Sequence, residues 1–195
     1  IFYLKKQKQS IAVPEKDIVS IAIKSLGLND ISVFNPNSSI IENALSDDLS
    51  LMKNMSLSEF LDELSRDSAT PGGGSVSALS GALSASLISM VANLSMPNRS
   101  IEKYSTKIQS IKDDFLNLVD EDAEAFEFVM KAFLLKKKTL EEQEKRQKEI
   151  ENSYKKAISP PLKMLQLSND LFYAIKMIQK NANSNCLSDL GVAVE

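Results

Sequence analysis

Apolar positions recur at helical spacing along most of this chain. Leu57, Phe60, Leu61 and Leu64 repeat every three to four residues and predict an amphipathic helix. Ser56 and Glu59 have capping-box spacing at its start, and Met55 with Phe60 has the spacing of a hydrophobic staple. Val76 to Leu94 predicts a helix of another kind. Ala78, Ala82, Ala85, Ser89 and Ala92 form one stripe of small residues, and Leu79, Leu83, Leu87, Met90 and Leu94 form a second, larger one. Such a helix can be buried on all sides, with a very close neighbour along the small stripe. Pro97-Asn98 closes it. From Ile101 a seam runs through Tyr104, Ile108, Ile111, Phe115, Leu118, Asp122, Ala125, Val129 and Ala132 in steps of three and four. Every seam position is apolar or aromatic except Asp122.

Thr139 to Lys156 predicts a highly charged outer helix, with Thr139 and Glu142 as a second capping box. Ser159-Pro160-Pro161 breaks it. Leu162 to Gln179 predicts a further amphipathic helix, with Leu165, Leu171, Phe172, Ile175 and Ile178 as core candidates. Asn181 to Asn185 reads as a polar turn, and Ser188-Asp189 opens another helix. The first fifty residues differ. Ile1 to Leu4 reads as a short strand, Pro14 to Leu26 as a helix ended by Gly27, and Ile31 to Ser39 as a linker. These pieces cannot bury a core alone, so they are expected to be the tail of a preceding domain. The expected fold is all-α: an antiparallel helical bundle over residues 53–195, preceded by a short α/β remnant and linker over residues 1–52. With no initiator Met and an apolar pattern still running at its end, the chain is expected to be a fragment, truncated at its C-terminus.

Composition narrows the chemistry. In 195 residues, 43% hydrophobic and 25% charged content describe a soluble globular protein, and the net charge of −3 gives no support to nucleic-acid binding. One cysteine, Cys186, excludes an internal disulfide framework and any CxxC pair. The absence of histidine excludes a Ser-His-Asp triad, a Cys-His pair and an imidazole base or metal site. Acid–base work falls to Asp, Glu, Lys or Tyr. Ser75 to Leu94 has the length of a membrane span, but six serines, Gly81, Asn93 and the lack of flanking basic residues weigh against one. No secretory signal is visible, and a cytoplasmic location without a membrane partner is expected.

Two features carry candidate chemistry. The run Pro71-Gly72-Gly73-Gly74-Ser75 lies in a stretch free of charge from Ser68 to Asn98 and just before a helix. Glycines admit φ > 0 and a close approach of backbone to ligand, and a helix start favours an anion. The plain alternative is a flexible tight turn. Asp122 stands where the seam demands a core residue, and a buried carboxylate is costly unless it is paired or its pKa is raised. It is therefore a functional candidate. The alternative is a structural acid that caps a neighbouring helix or pairs with a Lys. Asp120 and Glu121 beside it would ordinarily be solvated, and Asp189 at a helix start would ordinarily be a cap or dipole partner. Neither GxxxxGK[ST] nor GxGxxG occurs.

Leu57-Ser-Glu-Phe-Leu61, Pro71-Gly-Gly-Gly-Ser75, Asp120-Glu-Asp122-Ala-Glu-Ala-Phe126, Asn183 and Ser188-Asp189 together resemble the cyclodeaminase domain of formimidoyltransferase-cyclodeaminases, a family shared with bacterial methenyltetrahydrofolate cyclohydrolases. Pro160-Pro161-Leu162 and Cys186 add to the likeness. Ser25 to Leu28, Phe34 to Pro36 and Ile40 to Glu42 look like the end of the transferase domain and its linker. The resemblance departs at Ser95 to Asn98, where the family has a Thr and a basic, glycine-containing turn and only Arg99 stands nearby here. It implies packed antiparallel helices with a folate site between protomers of a homo-oligomer, the chain's own transferase domain as partner, and no metal. The implied reaction converts 5-formimidoyltetrahydrofolate to 5,10-methenyltetrahydrofolate and ammonia, within an enzyme of histidine degradation and one-carbon metabolism. Carried onto this sequence, Asp122 and Asp189 are the expected catalytic carboxylates. Gly72, Gly73, Gly74 and Ser75 would approach tetrahydrofolate, and Asn183 and Ser188 would orient the pterin or hold Asp189. The alternatives are a methenyltetrahydrofolate cyclohydrolase, a non-catalytic helical oligomerisation module and, more remotely, a membrane hairpin.

Overall fold

The structure, a computed structural model, describes residues 15–31, 33–41, 51–96 and 98–195. The described residues are helical or irregular, with no strand among them. The strand expected at Ile1 to Leu4, and with it the α/β character of the upstream remnant, lies outside them. Upstream, α1 (Glu15–Ser25) ends where predicted, at Gly27, whose φ of +65° is the left-handed conformation that favours glycine at a helix end. The expected linker is not featureless: α2 (Leu28–Ile31) is a single helical turn that leads into it, and α3 (Pro36–Ser39) is another at its end.

The bundle starts with α4 (Leu57–Leu64). Ser56 accepts a hydrogen bond from the Glu59 backbone N–H, and the Glu59 carboxylate accepts one from the Ser56 N–H, so both halves of the capping box are made. Phe60 is buried and Met55 packs on the same core. Leu57 and Leu61, expected on the buried face, are instead exposed.

α5 (Gly73–Leu94) and α6 (Arg99–Phe133) form an antiparallel hairpin. Its pairing is marked by Ser89 with Gln109 near the turn, Gly81 with Phe115 at mid-length and Ser75 with Val119 at the open end. The small stripe of α5 is what makes the approach close: Ala78, Ala82, Ala85, Ser89 and Ala92 are all buried, as predicted. A Cβ at Gly81 would lie inside van der Waals contact with the Phe115 ring, so glycine is the residue that seats this aromatic. The second stripe is not buried. Leu83, Met90 and Leu94 are exposed, so among the described residues nothing buries this part of α5. Among the described residues α5 alone is long and apolar enough to cross a membrane.

α7 (Leu140–Ala157) and α8 (Ser159–Ile178) follow with Ile158 alone between them. The prolines do break the helix, but they do not reverse the chain. Pro160 and Pro161 sit in the first turn of α8, where a missing N–H costs nothing. Contacts of Phe128 with Lys156, Glu121 with Lys163 and Lys107 with Asp170 fall in descending and ascending order, so α7 and α8 together run back along the 35 residues of α6. Of the predicted α8 core, Leu171, Ile175 and Ile178 are buried, while Leu165 and Phe172 are exposed. Two 3-10 turns (Gln179–Asn181, Ser184–Cys186) lead into α9 (Leu187–Val194), which lies against α5.

Candidate functional site

The glycine run begins the helix rather than preceding it. Gly72 is the N-cap, with extended backbone (φ −135°, ψ −161°), and Gly73, Gly74 and Ser75 form the first turn of α5, three residues earlier than the sequence predicts. Among the described residues Gly27 is the glycine with positive φ, so this run serves a different need. That need is space. A Cβ built on Gly74 would overlap both carboxylate oxygens and the Cγ of Asp122. The hairpin geometry thus sets the carboxylate of Asp122 directly against the backbone at the start of α5.

Asp122 is half-buried. Burial pushes its carboxyl above the ordinary carboxylate range, and the hydrogen bond it accepts from the Ser75 backbone N–H pulls the other way, more weakly. No ion pair to Asp122 is present among the described residues. The carboxylate therefore does cap the neighbouring helix, as one sequence reading allowed, yet it stays partly open to solvent and poised toward protonation. Ser75 is buried, and its Oγ donates to the Val119 carbonyl at 2.9 Å. Its hydroxyl is committed to the helix pair, and its N–H is what it offers to Asp122.

The acidic neighbours are not simply solvated. Asp120 Oδ1 accepts the Met52 N–H at 2.7 Å, while its buried Oδ2 has no hydrogen-bond partner among the described residues. Lys53 Nζ donates to Asn117 Oδ1 at 3.1 Å, so the segment entering the bundle is strapped to α6 just before Asp122. Glu121 pairs with Lys163 at 2.6 Å, which fixes α8 to the same turn. Seam periodicity carries no signal for either contact, because both join segments distant in sequence.

Asn183, Ser188 and Asp189 form a second group at the other end of α5. The Asn183 N–H donates to Ser95 Oγ at 2.8 Å, its Nδ2 to the Leu94 carbonyl at 3.5 Å, and its Oδ1 accepts the Asn185 N–H at 3.0 Å. Ser188 is exposed and Asp189 half-buried in the first turn of α9. Ser84 Oγ donates to the Ala193 carbonyl, so α9 runs antiparallel to α5 and Asp189 lies roughly level with residue 88. At 1.5 Å per residue that is about 21 Å from Gly74 along the axis. Within one chain, then, Gly74 and Ser75 meet Asp122 in the helical turn that Gly72 and Gly73 begin, and neither Asp189 nor Asn183 joins them. Among the described residues no group of three or more Cys, Asp or Glu side chains is placed to hold a metal ion.

The site is thus an all-helical hairpin that sets one partly desolvated carboxylate against a glycine-started helix, and comparison with known proteins gives the family. The formiminotransferase-cyclodeaminase family profile matches residues 56–195, and that of the formiminotransferase domain matches residues 1–46. This chain belongs to the formiminotransferase-cyclodeaminase family. It is 32% identical to the formimidoyltransferase-cyclodeaminase of Rattus norvegicus and 33% identical to that of Gallus gallus, in each case over all of this chain and 37% of the relative. The chain thus spans little more than a third of the length of these relatives. It is 32% identical to the methenyltetrahydrofolate cyclohydrolase of Methylorubrum extorquens, over 72% of this chain and 71% of that protein. The crystal structure of formiminotetrahydrofolate cyclodeaminase from Thermotoga maritima matches with a TM-score of 0.63 at 29% identity, covering 72% of this chain and 70% of the other.

Proposed function

We propose that residues 53–195 carry the cyclodeamination of 5-formimidoyltetrahydrofolate to 5,10-methenyltetrahydrofolate and ammonia, in a cytoplasmic, homo-oligomeric enzyme that also bears a formimidoyltransferase domain. The observation that carries this reading is Asp122: a partly desolvated carboxylate held against the start of α5, in a family whose members are named for this reaction. Folate N10 attacks the amidinium carbon and forms a tetrahedral centre that bears N5, N10 and an amino group. The N10 proton must leave and the amino nitrogen must gain one before the C–N bond breaks and ammonia departs. A carboxylate whose pKa is raised by burial suits that transfer better than a fully solvated one, because it holds a proton more readily and can return it. In its charged form it also faces the cationic methenyl product. Asp122 is the proposed proton carrier. The backbone of Gly72 to Ser75 is the proposed wall against which the pterin lies, and Asp189 with Asn183 and Ser188 is the proposed second group.

Methenyltetrahydrofolate absorbance, followed when 5-formimidoyltetrahydrofolate meets the protein and its Asp122→Asn variant, tests this. A rise in the parent that is lost in a still-folded variant is expected. If the variant keeps full turnover, Asp122 is only the helix cap that its bond to Ser75 also describes. The cyclohydrolase relative supports a second reading, in which water adds to the methenyl carbon. Loss of methenyltetrahydrofolate without any formimidoyl turnover would decide for it.

A further inference from the structure

Between α6 and α7 the chain forms a groove of about 280 Å³. One wall is Phe128, Lys131 and Ala132 of α6, with Leu135 just past its end, spaced three and four apart on a single face. Phe128 lies about 9 Å further along α6 than Asp122 and about two-thirds of a turn round it, so this groove is separate from the glycine turn. It exists because its floor is small. Ala132 and Ser153 both line it, and each is only 6% exposed. The Ser153 hydroxyl is committed within its own helix, where it donates to the Ile150 carbonyl at 2.8 Å.

The rim is cationic, in a chain whose net charge is −3. Lys131 Nζ from α6 and Lys156 Nζ from α7 stand 5.6 Å and 5.2 Å from the centre of the same Phe128 ring. Lys131 also meets Glu127 at 3.1 Å, whereas Lys156 has no carboxylate partner among the described residues. At the other end of the groove, Lys145 has Glu141 and Glu149 one turn away on either side and pairs with neither. Two ammonium groups gathered on one aromatic ring repel each other, and an anion seated between them turns that repulsion into attraction.

We infer that this groove binds a small phosphate monoester, its phosphate between Lys131 and Lys156 and its flat or apolar body over Ala132 toward Leu135. Two ammonium groups match the charge of a phosphate dianion better than that of a carboxylate. Phe128 gives the ester end an aromatic wall, and Leu135 closes the far end with an apolar one. Between them stand Asn152, whose amide is free among the described residues, and the Glu149 carboxylate. They offer a donor and an acceptor to one polar group on the body. Small-molecule sites begin at about 300 Å³, so this volume limits the body to about one ring.

Calorimetric titration of the complete protein with phenyl phosphate tests the site. Saturable binding, one ligand per chain, is expected. Replacing both lysines, Lys131→Gln with Lys156→Gln, should weaken it at least about ten-fold, because two charge-assisted contacts are lost. Lys148→Gln with Lys155→Gln is the control, since it removes the same charge from α7 residues outside the groove and should leave the affinity unchanged. All four lysines are exposed, so both variants are expected to melt as the parent does. Equal weakening in the control would show a diffuse attraction and overturn the site. Benzoate bound as tightly as phenyl phosphate would overturn the choice of phosphate, and inorganic phosphate bound as tightly would overturn the seat for the body. Absence of saturable binding up to millimolar phenyl phosphate would overturn the whole proposal. None of these results depends on cyclodeaminase turnover, so the proposed function is judged apart from them.

Discussion

Position 74 has room for a hydrogen and nothing larger, and the place of Asp122 depends on it. Gly74→Ala pushes a methyl into the carboxyl group. Alanine itself suits a helix, so the variant is expected to keep its helical circular dichroism while methenyl formation falls at least about ten-fold, as misplacement of a reacting group does. Retained turnover would show that the carboxylate need not sit there. Burial also gives Asp122 a pH signature. Its pKa is raised on folding, so between the ordinary carboxylate value and the raised one the folded state binds a proton that the unfolded state has lost. Its contribution to stability is therefore complete at low pH and falls as pH rises through that window. Asp122→Asn should melt at or above the parent near pH 7 and lose that advantage near pH 3, and thermal melts at both values check this. The oddity of Asp122 was legible in the sequence, as the one polar position in an apolar seam. The purpose of the glycines was not. Their run suggested positive φ, whereas the fold uses the missing Cβ of Gly74 against a residue 48 positions away, which no local pattern reports.

Helix starts were the most legible elements, because a cap is made by residues three apart. Both capping boxes are formed as read, and Ser56→Ala is expected to cost about 0.5–2 kcal/mol in chemical denaturation. Faces were less legible. Leu57, Leu61, Leu165 and Phe172 lie on apolar stripes, as periodicity says, yet they are exposed, because periodicity marks a side and cannot name the neighbour that covers it. The join of α7 to α8 shows the same limit. Its prolines marked a boundary without telling whether the chain turns back or continues along α6. Contact between α5 and α6 depends on Gly81 giving way to Phe115. Gly81→Ala overpacks that seam and should lower stability by about 1–3 kcal/mol, whatever alanine adds in helix propensity. A variant as stable as the parent would mean that the ring moves aside.

On the scale of the whole molecule, the upstream segment is tied to the bundle where the site is built. Asp120→Ala removes the acceptor for the Met52 N–H, and amide exchange at Met52 should quicken while that of the α5 and α6 core stays slow. Unchanged exchange would place the hold on this segment elsewhere, at Lys53 and Asn117. The sequence could place Asp122 and Asp189 on helices but not their separation, which depends on how α9 folds back along α5. The α5–α6 hairpin also has a direction in time. Its contacts reach outward from Ser89 and Gln109, the pair nearer the α5–α6 connection, through Gly81 and Phe115, to Gly74 and Asp122. A ribosome adding about 5–20 residues per second needs several seconds to complete α6 after α5 has emerged. Over that interval an uncharged helix waits for its cover, and the carboxylate is the last rung of the hairpin to reach its place. The same order holds in reverse: strand-like fraying of the two helices from their open ends would loosen Asp122 first and leave the turn closed.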